Sequence, residues 1–331
     1  MNSYPRLNNK TVLITGGAGF IGSNLCDSFL EAGNAVRCFD DLSTGFENNI
    51  SHLKGEKGFE FIHGDIRNLE EVKDAMRGVD VVLHQAALGS VPRSINDPIT
   101  TNQVNIDGFL NVIHAAKEAG IKRVVYAASS STYGDSKELP KVEDRIGMPL
   151  SPYAVTKYVN ELYAHVYGNL FDIELIGLRY FNVFGKRQTP DGAYAAAIPR
   201  FIKAFMNGEE PTVHGDGLQT RDFTYIKNVV QINHLAALTT NSRAVNQVYN
   251  VAFGERTRII ELIELIRRSL VQFDSNISDV QLNFGLARAG DVKDSLADIS
   301  KAKELLNFNP EYSLEAGIVE AIEWYWNSLR E

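Results

Sequence analysis

The segment Thr11-Val12-Leu13-Ile14-Thr15-Gly16-Gly17-Ala18-Gly19-Phe20-Ile21-Gly22 decides how the chain is read. A short apolar run predicts a strand, and glycines end it. A helical pattern opens at Phe20, with Ile21, Leu25, Phe29 and Leu30 apolar, and closes at Gly33. Gly16, Gly19 and Gly22 have the spacing GxxGxxG, not the GxGxxG of the standard dinucleotide fingerprint. The physics carries over. Glycine permits the tight turn, lets the backbone approach a pyrophosphate, and lets helix and strand pack closely. The free N–H groups at the helix start, around Phe20 and Ile21, face the phosphates.

Working outward, Ala35–Phe39 is a second strand that ends at Asp40, 18 residues past Gly22. A carboxylate there can accept hydrogen bonds from an adenosine ribose and would repel a 2′-phosphate, which favours NAD over NADP. Arg37, inside the strand, is the weak counter-candidate. Further strands are predicted at 59–62, 79–83, 123–128 and 173–178, with helices at 70–77, 102–119 and 152–167 between them. Asp65, after the third strand, is a candidate adenine contact. Alternating strands and helices predict an α/β fold with a doubly wound parallel (Rossmann) sheet. Past Asn182 the pattern loosens into helices at 195–206, 258–272 and 314–329 among short strands such as 248–251. This predicts a nucleotide-binding domain over 1–181 and a smaller mixed α/β substrate lobe over 182–331, with the chain crossing between them.

Tyr153-Ala154-Val155-Thr156-Lys157 is YxxxK. On a helix, positions i and i+4 share a face, so the phenol and the ammonium point together. A phenol ionises near pH 10 and is a poor base at neutral pH. Lys157 beside Tyr153, with a cationic nicotinamide, would favour the phenolate. Alone the motif is weak; after a glycine-rich dinucleotide turn it is far stronger. Ser129-Ser130-Ser131 closes the fifth strand, at the end that faces ligands in doubly wound sheets, where hydroxyls can hold a sugar hydroxyl and relay its proton.

Together these elements resemble the extended short-chain dehydrogenase/reductase family, and within it the nucleotide-sugar 4-epimerases. The resemblance rests on Gly16–Gly22, His84-Gln85-Ala86-Ala87, Ser129–Gly134, Ser151-Pro152-Tyr153 with Lys157, Leu178-Arg179-Tyr180-Phe181-Asn182 and Arg221-Asp222-Phe223. Leu88–Ser94 and Arg187-Gln188 look most like bacterial UDP-N-acetylglucosamine 4-epimerases of surface-polysaccharide synthesis. The resemblance implies that Tyr153 takes the 4-OH proton while C4 gives hydride to NAD. The 4-keto sugar then turns, and hydride returns to its other face. It also implies that Ser129 and Ser130 assist, that Lys157 holds the nicotinamide ribose, and that Ile66, Ala86, Ala87 and Tyr180 join the cofactor site. Arg221 and Arg288 align with diphosphate-binding arginines, and Asn182 with an amide contact to the same group. Gly89, Ser90 and Gln188 align with sugar contacts. Ser295 falls where a bulky residue excludes 2-acetamido sugars; serine is small, so UDP-GlcNAc and UDP-GalNAc are expected to fit, with UDP-Glc and UDP-Gal also tolerated. A homodimer through a four-helix bundle is implied as well.

Other readings are open. A uronate epimerase would use the same catalytic set, with Arg93 or Gln188 meeting the extra carboxylate. A 4,6-dehydratase would need carboxyl groups where Ser130 and Ser131 stand. A non-catalytic NAD-binding protein would not need Ser129, Tyr153 and Lys157 together, and no GxSxG elbow supports a hydrolase.

Composition agrees. The 331 residues are 44% hydrophobic and 22% charged, which suits a packed globular chain. A net charge of −8 argues against a nucleic-acid or anionic-membrane coat. Two cysteines, Cys26 and Cys38, make a disulfide scaffold or structural zinc improbable, and no metal is expected. With no signal-like N-terminus and no run of roughly 20 apolar residues, the expected location is the cytoplasm.

Overall fold

A computed structural model describes residues 4–190, 196–286 and 293–329. Seven parallel strands form the central sheet: β1 Thr11–Thr15, β2 Ala35–Asp40, β3 Phe59–His63, β4 Val81–His84, β5 Arg123–Ser129, β6 Glu174–Tyr180 and β7 Gln247–Val251. Their order is β3-β2-β1-β4-β5-β6-β7. The order reverses between β1 and β4, which opens a crevice at the strands' C-terminal ends.

The central strands β1, β4, β5 and β6 are buried on both faces and read as nearly continuous apolar runs, whereas the edge strand β3 is only partly covered. Side chains nonetheless alternate. Val12 and Ile14 of β1 join a core with helix Phe20–Glu31 and the C-terminal half, whereas Leu13 faces a second core with Val72, Phe109 and Val112. The period of two along a strand divides the interior this way.

The strand expected at 248–251 pairs in parallel with β6, Val248 opposite Gly177 and Val251 opposite Tyr180. The C-terminal half therefore completes the sheet of the first. Helix Ile226–Leu238 was not predicted, because almost every residue of it is buried. A helix covered on all sides carries no apolar stripe to find. Its buried polar side chains find partners instead: Asn228 donates to Tyr312 O at 2.7 Å and Asn233 to Tyr180 Oη at 3.0 Å.

The predicted 102–119 helix is longer, running from Pro98 to Glu118 with a wider turn at Gln103–Asp107. Asn105 in that turn is buried. Its Oδ1 accepts from Leu88 N at 2.8 Å, and its Nδ2 donates to Thr156 Oγ1 at 3.1 Å. The turn thus ties the Leu88-Gly89 loop to the helix that carries Tyr153. Helix Pro152–Leu170 starts where Ser151 Oγ caps Ala154 N and Pro152 occupies the first turn. Val155, Leu162, Val166 and Leu170 lie along one exposed stripe of it, near exposed Ile99. No described helix is long and apolar enough to cross a membrane.

After Asn182 short strand pairs recur: Val183–Phe184 with Thr224–Tyr225, Thr220–Arg221 with Thr257–Arg258, and Thr212–His214 with Asn283–Gly285.

Candidate active site

The crevice between β1 and β4 opens into a cavity of about 360 Å³. Gly16, Gly19, Phe20, Ile21 and Gly22 line one end, with Asp40, Ile66, Ala86 and Ala87. Ser129, Tyr153, Lys157 and Tyr180 line it too, so the sheet brings together residues spread over most of the first half. Gly16 has φ +69°, and a Cβ on it would lie 2.6 Å from Ala86 N. A Cβ on Gly22 would lie 2.0 Å from Gly16 O. Only glycine fits this turn.

The wall suits a dinucleotide. Gly19 caps the first helix with no side chain, so its early N–H groups face the cavity. Gln85 Nε2 is buried and without a partner, while its Oε1 accepts from Tyr180 Oη at 3.3 Å. A buried amide donor left open is costly unless a ligand meets it. Sequence reasoning quoted Gln85 only within a motif; nothing in its spacing marks it.

Asp40 is buried, and burial raises its carboxyl above the usual range, against hydrogen bonds that lower it. Its oxygens accept from Ala18 N at 2.9 Å and Leu42 N at 2.8 Å. Each keeps a lone pair for a ribose. Arg37 points elsewhere: Nε donates to Glu60 at 2.8 Å and Nη1 to Ala75 O and Arg77 O, both at 2.8 Å. Among the described residues lining the cavity beside Asp40 there is no Arg or Lys, and Asp41 adds a second carboxylate there. Asp65 does not line the cavity, although Gly64 and Ile66 beside it do; its carboxylate accepts from Arg67 Nε at 2.8 Å.

At the other end, burial raises the Tyr153 phenol above its usual value, opposed by a hydrogen bond with Ser129. Ser129 Oγ also accepts from Ser131 N at 3.1 Å and Ser131 Oγ at 2.9 Å. Lys157 is buried and donates to Ala127 O at 2.8 Å. Burial pushes its ammonium down to about 8, and Glu161 opposes this. Lys157 shares the cavity wall with Tyr153, where its ammonium and a cationic nicotinamide would both favour the phenolate. Ser130 begins the turn Ser130–Tyr133 and is not part of the cavity wall. His84 is held neutral, near pKa 3, by burial and by Lys157; its Nδ1 meets Thr15 Oγ1 at 2.7 Å.

A second cavity of about 210 Å³ is lined by Asn182, Gln188 and Arg221, and also by Arg200, His214 and Gln219, which sequence reasoning missed. No motif marks them; short strands and the helix Ala197–Met206 bring them in. Asn182 Nδ2 donates to Asp222 O at 2.9 Å, and Arg221 Nη1 to Thr220 O at 2.8 Å. Gln188 is engaged within the fold: Nε2 donates to Val183 O at 2.8 Å and Oε1 meets Tyr325 Oη at 3.5 Å. Gly89 lies at the edge of the first cavity, with open space where a Cβ would stand. Ser90 Oγ caps the next helix by accepting from Arg93 N at 3.2 Å. Ser295 N donates to Thr220 O at 3.1 Å, beside Arg221, though Ser295 lines neither cavity. Arg288 lies outside the described residues.

Asp222 clips this region together. It is fully buried; Oδ1 accepts from Phe253 N at 3.2 Å and Gly254 N at 3.3 Å, and Oδ2 from Ala297 N at 3.2 Å. Burial still pushes its carboxyl up to about 7. No group of three or more His, Cys, Asp or Glu able to hold a metal occurs among the described residues.

Three comparisons bear on this site. The family described as "NAD dependent epimerase/dehydratase family" matches residues 12–252. A UDP-N-acetylglucosamine 4-epimerase from Methanobrevibacter ruminantium M1, solved with UDP-N-acetylmuramic acid, superposes with TM-score 0.90 at 37% identity, covering 97% of this chain and 99% of that one. A UDP-glucuronic acid 4-epimerase from Bacillus cereus, solved with UDP-glucuronic acid and NAD, gives TM-score 0.83 at 33% identity, covering 97% and 99%. The UDP-glucose 4-epimerase of Mycolicibacterium smegmatis is 34% identical, over 95% of this chain and 98% of its own length.

Proposed function

Because the chain belongs to the NAD dependent epimerase/dehydratase family, among UDP-sugar 4-epimerases with NAD as cofactor, we propose that it interconverts UDP-GlcNAc and UDP-GalNAc at C4. The observation that carries the reading is the convergence of Ser129, Tyr153 and Lys157 on one wall of the cavity that the glycine turn opens, with Lys157 anchored on Ala127 O. NAD, when bound, accepts the C4 hydride and returns it. Tyr153 Oη takes the proton of the sugar 4-OH and gives it back. Ser129 hydrogen-bonds the phenol and favours its ionised form. Lys157, fixed on Ala127 O, supplies the positive charge that a phenolate requires. Asn182 and Arg221 in the second cavity hold the diphosphate; a guanidinium suits two phosphate oxygens.

The N-acetyl preference is supported by Gly89, which leaves open space at the cavity wall, and by a serine at 295, the position that the resemblance assigns to the sugar's 2-substituent. A homodimer is supported by the exposed apolar stripe Val155, Leu162, Val166 and Leu170, which one copy leaves in water.

The test is incubation of the purified protein with UDP-GlcNAc, and separately with its uronate, without added NAD, read by proton NMR. Formation of UDP-GalNAc without net NADH is expected. Turnover of the uronate alone would replace the substrate assignment.

A further inference from the structure

Buried charges away from reacting atoms are costly unless paired, and the fold holds such a pair behind the site. Glu161 lies one helical turn beyond Lys157, and Arg179 on β6 sits in register with Ala128, one residue before Ser129. Their side chains are 6% and 4% exposed. The contact is bidentate, Arg179 Nε to Glu161 Oε1 at 2.9 Å and Nη2 to Oε2 at 2.7 Å. The third guanidinium nitrogen donates to Glu143 O at 3.0 Å. The guanidinium also lies over the Tyr133 ring, 4.8 Å from its centre. Thr132 Oγ1 completes the set by donating to Glu161 Oε1 at 3.4 Å. One ion pair therefore joins the helix that carries Tyr153 and Lys157, the strand β6, and the turn that follows Ser129.

A buried pair of this kind adds little stability that apolar residues of equal volume would not. Its geometry points to another role. The titratable groups around Lys157 are Tyr153 and Tyr180, which share its cavity wall, Glu161 one turn along its own helix, and His84 at the end of β4, while Arg179 reaches this set through its pair with Glu161. Burial keeps His84 neutral and the Tyr180 phenol protonated. Glu161 is the group that opposes the desolvation of the Lys157 ammonium. Arg179 balances the Glu161 charge and fixes its position.

We propose that Glu161 and Arg179 form a positioning pair, which sets where Lys157 stands relative to Tyr153 and Ser129 and which charge it faces. Only the kinetic consequence rests on the epimerase reading.

The test uses the holoenzyme with lysines 13C-labelled at Cε, the Lys157 signal being assigned by its loss in Lys157→Ala. In Glu161→Gln, Arg179 stays as an unpaired buried cation, and the Lys157 titration midpoint falls by about one pH unit or more. The double variant Glu161→Gln/Arg179→Gln removes both charges. Its midpoint returns to within about half a unit of wild type, while kcat stays roughly 10-fold or more below it, because the tie to β6 is lost. An unmoved midpoint in Glu161→Gln, or wild-type kcat in the double variant, overturns the proposal. Should the single variant fail to fold, the double variant decides alone. Retained NAD and Tm with kcat lowered at least about 10-fold supports the pair; unchanged kcat overturns it. The titration needs no sugar. A wild-type protein inert toward UDP-hexoses would count against the epimerase reading and not against the pair.

Discussion

The two halves of the chain place their functional groups by different means. Before Asn182, the ends of regular strands and the start of one helix present the groups, and each group sits inside a motif contiguous in sequence. After Asn182, short strand pairs and long-range clips do the work. Asp222 alone joins Phe253, Gly254 and Ala297. Strand ends supported on both faces give chemistry that tolerates little displacement. A lobe held by a few buried polar contacts gives binding that depends on those contacts and on pH.

The largest expected effect tests the first half. Tyr153→Phe should lower turnover by about 10²- to 10⁴-fold, with bound NAD and Tm retained. Loss of NAD or of fold together with activity would mean that this half is not the rigid frame described.

Asp222→Asn tests the second half. The folded carboxyl titrates near 7, against an ordinary 3.8. The native state therefore holds the proton more tightly than the unfolded chain. The stabilisation is complete below about pH 4 and is lost as pH rises through 7. The wild-type minus variant difference in unfolding free energy should fall by roughly 2–4 kcal/mol between pH 4 and pH 8. A flat difference would mean that the clip does not titrate.

Ser295→Tyr probes the sugar end. Turnover of UDP-GlcNAc should drop about 10- to 100-fold relative to UDP-Glc, a steric exclusion of the acetamido group. Equal losses on both sugars would place Ser295 away from the 2-position. The smallest effect is expected from Leu162→Glu on the exposed stripe. It should weaken self-association by roughly 10-fold or more in sedimentation, with secondary structure unchanged.

The same contrast explains what was legible in the sequence. Strands β1, β2, β4, β5 and β6 were readable because burial leaves mostly apolar runs between glycine and polar breaks, and the edge strand β3 because Phe59, Phe61 and Ile62 stand out between polar residues. The glycine turn, Tyr153, Lys157 and Ser129 were readable because their spacing in sequence is their spacing in space. Strand β7 was seen as a strand, but its parallel pairing with β6 leaves no local trace. Helix Ile226–Leu238 was invisible, because burial on all sides erases its periodicity. Arg200, His214 and Gln219 reach their cavity only through tertiary folding. Asp65 stands between Gly64 and Ile66 of the cavity wall, and the sequence does not show that Arg67 pairs with its carboxylate.

The proposed chemistry confines proton and hydride exchange to C4, with Tyr153 as the proton carrier. Incubating the protein with UDP-GlcNAc in D2O and reading the product by proton NMR puts this to the test. UDP-GalNAc that keeps protium at C4 is expected, because the hydride returns without exchanging with solvent. Deuterium at C4 or C5 of the product would contradict it.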